Sequence, residues 1–387
     1  MTDTHRDEFS EDAREPVVAT TAGTPGTLRN HPMFTSRRTL LALAGALFVL
    51  LIFALLLLLW YLSPGEFVTR GGDAISGLRP VLVIDGPGRG QYPEFARPMG
   101  ATFGPDGRIY SVDTGNNRVV AFSSTGRYLF EFGGFGIAKP LPGYEATWEE
   151  GLMNYPLGID VDDNGDIYVA DFRNDQIQVF DRDGEFLRRF PDPAQVVGRG
   201  ASGQDGTGIA VTDLAVASGL VFAADTYQVV VYTTEGEFVR QFGRPGTGPG
   251  EFDHLTGIDA IDDGRVYVAD ANNARIQAFS FEGEYLWSVG GTREDGEATE
   301  TVTSPSPFEF GLPRSIAVLG DGTIAVLDAF EFNIVLFTRD GRFIGRYGER
   351  GVAPGQLNFP NSVQALGDRL IVSDKENDRV QVLEVVR

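Results

Sequence analysis

Six aspartates, Asp113, Asp171, Asp225, Asp270, Asp328 and Asp374, each close a short apolar stretch, and in three copies an arginine follows five residues later: Arg118, Arg275 and Arg379. A catalytic carboxylate is needed once, whereas a carboxylate repeated along the chain is expected to be structural, holding a loop or pairing with a neighbour. The copies with Gln176, Asn333 or a shortened loop after Asp225 are expected to be held differently. DVDDNGD, from Asp160 to Asp166, starts like a calcium loop, with Asp171 at the twelfth position. Equivalent points read GPDGR, IDDGR and LGDGT, and strands flank them, so a hairpin turn is expected instead. GRPGTGPG (Gly243 to Gly250) resembles a phosphate loop but has no Lys-Ser/Thr, which makes it a plain connector. His254 stands without a Cys, Ser or second His nearby and reads as a hydrogen-bonded surface group.

The elements that position these residues are repeats. IYSVDTGNNRVVAF (Ile109 to Phe122) returns as IYVADFRNDQIQVF (Ile167 to Phe180) and VYVADANNARIQAF (Val266 to Phe279), with diverged copies from Val221, Ile324 and Leu370. A period of roughly 45 to 58 residues predicts a radially repeated β-architecture. Each repeat reads as four strands, clearest in Tyr155 to Phe190: GIDV, a DNGD turn, IYVAD, QIQVF, a DG turn, and EFLRRF. Innermost strands are expected from Gly100, Gly158, about Asp213, Gly257, Ser315 and Ser362, which makes six blades. The last repeat lacks its outer strand, and Val81 to Asp85 is expected to supply it, joining the N- and C-terminal ends of an all-β six-bladed propeller.

The chain carries 54 acidic against 32 basic residues, a net charge of -22, three histidines and no cysteine. The acidic excess argues against nucleic acid and other polyanions, and favours protein or small neutral or cationic partners. Without cysteine there is no disulfide, thiolate metal site or thiol nucleophile. Leu40 to Leu62 is 23 residues without a charge, long enough for the hydrocarbon core of about 30 Å. Arg37 and Arg38 precede it and Trp60 and Tyr61 end it, which predicts one transmembrane helix with residues 1–39 as a disordered cytoplasmic tail. Residues 63–79 are expected to be a tether, and residues 80–387 the propeller outside the cell membrane.

The repeats resemble the NHL family over about residues 80–387, which implies the propeller fold and says little about activity. Relatives in that family include a lyase whose zinc site uses several histidines; only His254 lies in the ring here, so that chemistry is not carried over. No cofactor is expected, calcium being the one ion weighed. Three connectors between blades are enlarged: Gly134 to Tyr155, Pro191 to Thr212, and Gly291 to Phe310. Together with the loops after the repeated aspartates they are expected to wall one mouth of the central channel. Candidate binding residues there are Tyr144, Trp148 and Phe308 for aromatic contact, and Arg97, Asp213, His254, Thr256, Arg314 and Asn361 near the channel. The expectation is a membrane-tethered binding module at the cell envelope. The alternative is a propeller hydrolase, lactonase or lyase with a carboxylate or calcium site at the channel mouth.

Overall fold

The computed structural model describes residues 75–88, 94–138, 147–191, 209–291 and 309–387. The expected tail, the Leu40–Leu62 span, most of the tether, Tyr144 and Phe308 fall outside the described residues. Among the described residues no helix is long and apolar enough to cross a membrane.

Six four-stranded antiparallel sheets form six blades. Their inner strands, Gly100–Phe103, Pro156–Val161, Val211–Ala217, Leu255–Ile261, Pro313–Val318 and Ser362–Leu366, pack side by side around a central channel. The sequence explains the grading of each blade. Second and third strands such as Ile167–Asp171 and Gln176–Phe180 are covered on both faces and are buried throughout. The outer strand Phe186–Phe190 alternates, because one side of it meets water. The apolar core is correspondingly divided into layers between adjacent blades. Tyr168, Ile177 and Val179 of blade two, for instance, pack on Leu214, Val221 and Val230 of blade three.

The ring closes as the repeats predict, with a longer strand. Gly77–Ile84 pairs antiparallel with Arg379–Val386, from Gly77 opposite Val386 to Ile84 opposite Val380, with an irregularity at Val81. It begins four residues before Val81 and takes in the end of the expected tether. Pro80, which has no N–H to give, is accommodated because the strand is outermost. Ile84 and Leu82 then join Val380, Val382, Phe95 and Phe122 between blades six and one. This strand runs from the face of the hairpin turns toward the face of the inter-blade connectors, so Gly77 lies at the hairpin face.

One local expectation is met in detail and a second is shifted by two residues. The DNGD segment is a hairpin turn: Asp162 Oδ1 accepts the N–H groups of Asn164 and Asp166, both at 2.9 Å. Four inner strands start two residues earlier than expected, because each opens with a register irregularity: between Pro156 and Ile159, Val211 and Asp213, Leu255 and Gly257, and Pro313 and Ser315. An extra residue at such a point re-aims a side chain. Here the extra residues include Thr212, Thr256 and Arg314.

Candidate binding face

The repeated aspartates are fully buried latches. One oxygen of Asp113, Asp171, Asp270 and Asp374 accepts a connector N–H, from Ala96, Asn154, Asp253 and Asn358 respectively, each at 2.7 Å. The other takes a guanidinium Nε–H in three blades, from Arg118 at 2.8 Å, Arg275 at 2.7 Å and Arg379 at 2.8 Å. In blade two the Gln176 amide donates instead at 2.8 Å, and burial, opposed by these hydrogen bonds, pushes Asp171 up to about 6. In blade three Gln228 fills the place at 3.0 Å. In blade five Asp328 takes the Phe330 and Glu331 N–H groups at 3.2 Å, and Asn333 turns to the Glu331 carbonyl. Each latch ties a connector to the loop after the second strand, which places both on one face.

The channel is lined in tiers set by the inner strands. In the lower two tiers, side chains of one blade bond the next: Asp160 accepts the Val216 N–H at 2.8 Å and Asp259 the Val318 N–H at 2.7 Å. Asp213 accepts the Ile258 N–H at 3.3 Å, Ser315 the Val363 N–H at 3.1 Å, and Ser362 the Ala101 N–H at 3.1 Å. Gly158 stands beside Asp213 because a Cβ there would lie 2.4 Å from the carboxylate and 2.7 Å from its Cα. Three carboxylates thus sit in low-dielectric surroundings. Burial pushes Asp213 up to about 8 and Asp160 to about 6, and raises Asp259 well above the ordinary value, with mutual repulsion adding to each case except Asp160, where Asp162 adds instead. Among the described residues no group of three His, Cys, Asp or Glu could hold a metal ion.

Above these tiers the mouth is formed by two rings. In the lower ring Thr256 donates to the Pro313 carbonyl at 3.3 Å, Arg314 Nε to Asn361 Oδ1 at 3.0 Å, and Asn361 to the Met99 carbonyl at 2.7 Å. The upper ring holds Arg97, Tyr155, His254 and Phe359, all in the left-handed region, at φ 55, 57, 66 and 45°. Bulky residues rarely sit there, and such outliers gather at functional sites. Of the expected site residues, Asp213, Thr256, Arg314 and Asn361 lie in the channel tiers, with His254 and Arg97 above them. Partial loss of water around its ring, then the Arg314 charge, holds His254 below the usual histidine value. Arg97 is tied at 2.8 Å to Glu376 and remains exposed. Trp148 is not brought to the mouth: it packs on Phe186 of blade two's outer strand, with Arg189 stacked over it at 3.9 Å.

The same face carries an aromatic cluster between blades five and six. Phe359, 36 % exposed, meets Phe332 at 5.1 Å and Phe330 at 6.2 Å, and Phe330 is itself 54 % exposed. The Arg350 guanidinium lies 5.1 Å from the Phe332 ring and 5.9 Å from that of Phe359. Across the mouth Arg173 stacks on Tyr155 at 4.4 Å.

A family model described as NHL repeat matches residues 153–180, and one described as 6-bladed beta-propeller matches residues 210–289. The chain is a six-bladed β-propeller that carries an NHL repeat. It is 28 % identical over 169 residues to Protein brain tumor of Drosophila melanogaster, covering 42 % of this chain and 14 % of that protein. To NHL repeat-containing protein 3 of Homo sapiens it is 22 % identical over 165 residues, 41 % of this chain and 45 % of that one. The chain thus spans less than half the length of either relative. A catalytically inactive virginiamycin B lyase from Staphylococcus aureus, solved with quinupristin, superposes with a TM-score of 0.50 at 16 % identity, over 76 % of this chain and 83 % of that one. That likeness is one of fold.

Several residues of this face were not singled out by the sequence. The Phe330–Phe332 pair follows a blade aspartate as AFEFN, where the four other copies with a full loop carry small or polar residues (Gly115, Arg173, Asn272 and Glu376; Asn117, Asp175, Ala274 and Asp378), and that substitution was the available signal. Tyr155 closes an enlarged connector and precedes Pro156, as Arg97 precedes Pro98 and Phe359 precedes Pro360. The X-Pro step marks three of the four upper-ring residues, His254 preceding Leu255 instead.

Proposed function

We propose that this NHL propeller is a membrane-tethered, extracytoplasmic module that binds a protein partner with its connector face. The observation that carries the reading is the cluster of exposed Phe330 and Phe359 with half-buried Phe332, under Arg350. Aromatic rings and arginine dominate the energetics of protein interfaces, and a stacked guanidinium offers charge and flat apolar surface together. NHL relatives that are interaction proteins support the same class of function. The tether reading rests on the uncharged run from Leu40 to Leu62 with Arg37 and Arg38 before it.

The test is quantitative capture by the full chain, comparing wild type with the Phe330→Ala, Phe359→Ala double variant and with Leu366→Ala on the hairpin face. The double variant is expected to lose at least tenfold of a specifically captured protein while Leu366→Ala keeps it; equal capture by all three rejects the assignment. Protease accessibility of the propeller in intact cells and in lysed cells tests the location. The hydrolase, lactonase or lyase alternative rests on Asp160, Asp213 and Asp259 in the channel. The hydrogen bond that each of them accepts from an N–H of the next blade accounts for these carboxylates without catalysis, and stoichiometric calcium bound by the purified chain would favour the alternative.

A further inference from the structure

We propose that the channel mouth is a receptor for a single carboxylate borne by the bound partner, seated on the guanidinium of Arg314. The inference rests on the partner-binding reading of the connector face and names the chemistry of its centre.

Arg314 is the extra residue where the inner strand of blade five opens, Pro313 pairing with Asp328 and Ser315 with Leu327. The irregularity turns it into the mouth, between the ring of left-handed residues and the carboxylate tiers. Its Nε–H is pinned to Asn361 Oδ1 at 3.0 Å, and Asn361 is pinned in turn to the Met99 carbonyl at 2.7 Å. The guanidinium is therefore oriented by neutral partners before any ligand arrives. Among the described residues no carboxylate forms an ion pair with it, unlike Arg118, Arg275 and Arg379, each paired with a blade aspartate. A partly desolvated arginine without an ion-pair partner seeks an anion, and a fork of N–H groups matches a carboxylate with two parallel bonds.

The surroundings agree. Burial lowers the Arg314 pKa, and Asp213 and Tyr155 are the groups that work against this. Asp213, pushed up to about 8, holds its proton at neutral pH and does not neutralise the guanidinium. Tyr155, carrying Arg173 at 4.4 Å, and His254 flank the opening, supplying an aromatic wall and polar contacts. The net charge of -22 opposes polyanions approaching this face, which favours one carboxylate next to an apolar group over a phosphate polymer. A chain end and an acidic side chain both present that group.

The experiment titrates the full chain with N-acetyl-L-phenylalanine, standing for a chain end, with the α-amide of N-acetyl-L-aspartic acid, standing for an acidic side chain, with N-acetyl-L-phenylalanine amide as the uncharged control, and with inorganic phosphate. At least one carboxylate is expected to bind tenfold or more tighter than the uncharged amide, and which one binds names the source. Arg314→Gln is expected to bring that preference within twofold of unity, and Arg314→Lys to leave an intermediate value, since it keeps charge without the fork. In the wild-type chain the preferred carboxylate should also protect Arg314 from phenylglyoxal, a readout that needs no variant. Equal binding of acids and uncharged amide, a preference that survives Arg314→Gln, or phosphate binding as tightly as the carboxylates overturns the proposal. If capture still depends on Phe330 and Phe359 while the acids show no preference, the receptor fails and the binding face stands. If capture is insensitive to those phenylalanines, the binding face fails first.

Discussion

Replacing Asp213 by asparagine should make the propeller's stability less sensitive to pH, in a direction opposite to the common behaviour of carboxylates. Asp213 is pushed up to about 8 by burial and by the nearby Asp160, against hydrogen bonds from the Leu214 and Ile258 N–H groups and the attraction of Arg314. Asp160 on blade two, Asp259 on blade four and Arg314 on blade five are the charged groups it interacts with. In the unfolded chain its carboxyl titrates near the ordinary value of about 3.9. Between those two values the folded state holds a proton that the unfolded state has lost, so folding stability falls as pH rises through this window and levels off above about 8. One proton corresponds to about 1.4 kcal/mol per pH unit, or about 4 kcal/mol between pH 4 and pH 7. Asparagine has nearly the same shape, offers Ile258 the same acceptor and has no proton to lose. Urea unfolding of both proteins at pH 4, 5, 6 and 7 should show the variant gaining on wild type by roughly that slope. A difference that stays constant with pH would refute the reasoning. A wild type that gains on the variant as pH rises would mean that Asp213 is ionised and pairs with Arg314, which would remove the unmet charge at the channel mouth as well.

Asp270→Ala strips the Asp253 N–H, Asn273, Arg275 and Gln277 of a shared acceptor and should cost about 3–5 kcal/mol in urea unfolding, because it leaves a buried guanidinium without its carboxylate. Gly158→Ala should destabilise by about 1–3 kcal/mol or more, since its Cβ would meet the Asp213 backbone and force blades two and three apart, whereas Gly264→Ala, where nothing stands within 4 Å, carries only the strain of its positive φ. His254→Gly should raise the thermal midpoint, by an amount corresponding to about 1 kcal/mol, by relieving a left-handed histidine at φ 66°. No gain there would mean that contacts of the histidine ring offset the backbone strain.

The fold was legible because it is written several times over. Recurrence of the IYVAD-type strand set the blade count, and the orphaned third strand at the C-terminus implied a partner near Val81, which the pairing of Gly77–Ile84 with Arg379–Val386 supplies. The latch was only half legible. The aspartate and the arginine five residues on were visible, but the Asn three residues on (Asn116, Asn174, Asn273, Asn377) and the Gln seven on (Gln178, Gln277, Gln381) completed the acceptor's shell unnoticed. The channel was least legible, for a geometric reason. Polar side chains bridge each blade to the next, but they occupy either of two alternate positions on the inner strand: Asp213 and Ser315 take the first, Asp160 and Asp259 the second, with glycine or alanine filling the other. No single position of the repeat is therefore polar throughout, and copies aligned by eye show scatter where the ring is regular. Trp148 illustrates the converse. An aromatic in an enlarged connector looked available, yet the outer strand of its own blade covers it.

The two faces of the ring differ in how their charges are paired, and the proposed partner-binding face follows from that difference. On the hairpin face, Arg108 pairs with Asp106 and Asp183, Arg182 with Asp106, Arg339 with Asp263, and Arg387 with Asp321 and Asp368. Those pairs stitch neighbouring turns together, and the strand from Gly77 enters the domain at the same side. On the connector face the strained backbone of Arg97, Tyr155, His254 and Phe359 crowds large side chains around the mouth. Arg173 and Arg350 lie on aromatic rings there, and Arg314 is held by an amide. Folding alone gains little from a desolvated guanidinium fixed by a neutral group, or from phenylalanines left half in water. Both become favourable once a surface bearing a carboxylate beside apolar groups covers them. The blades supply rigidity through latches whose aspartates are already hydrogen-bonded, while the amide-held Arg314 and the exposed Phe330 and Phe359 stand together on the connector face.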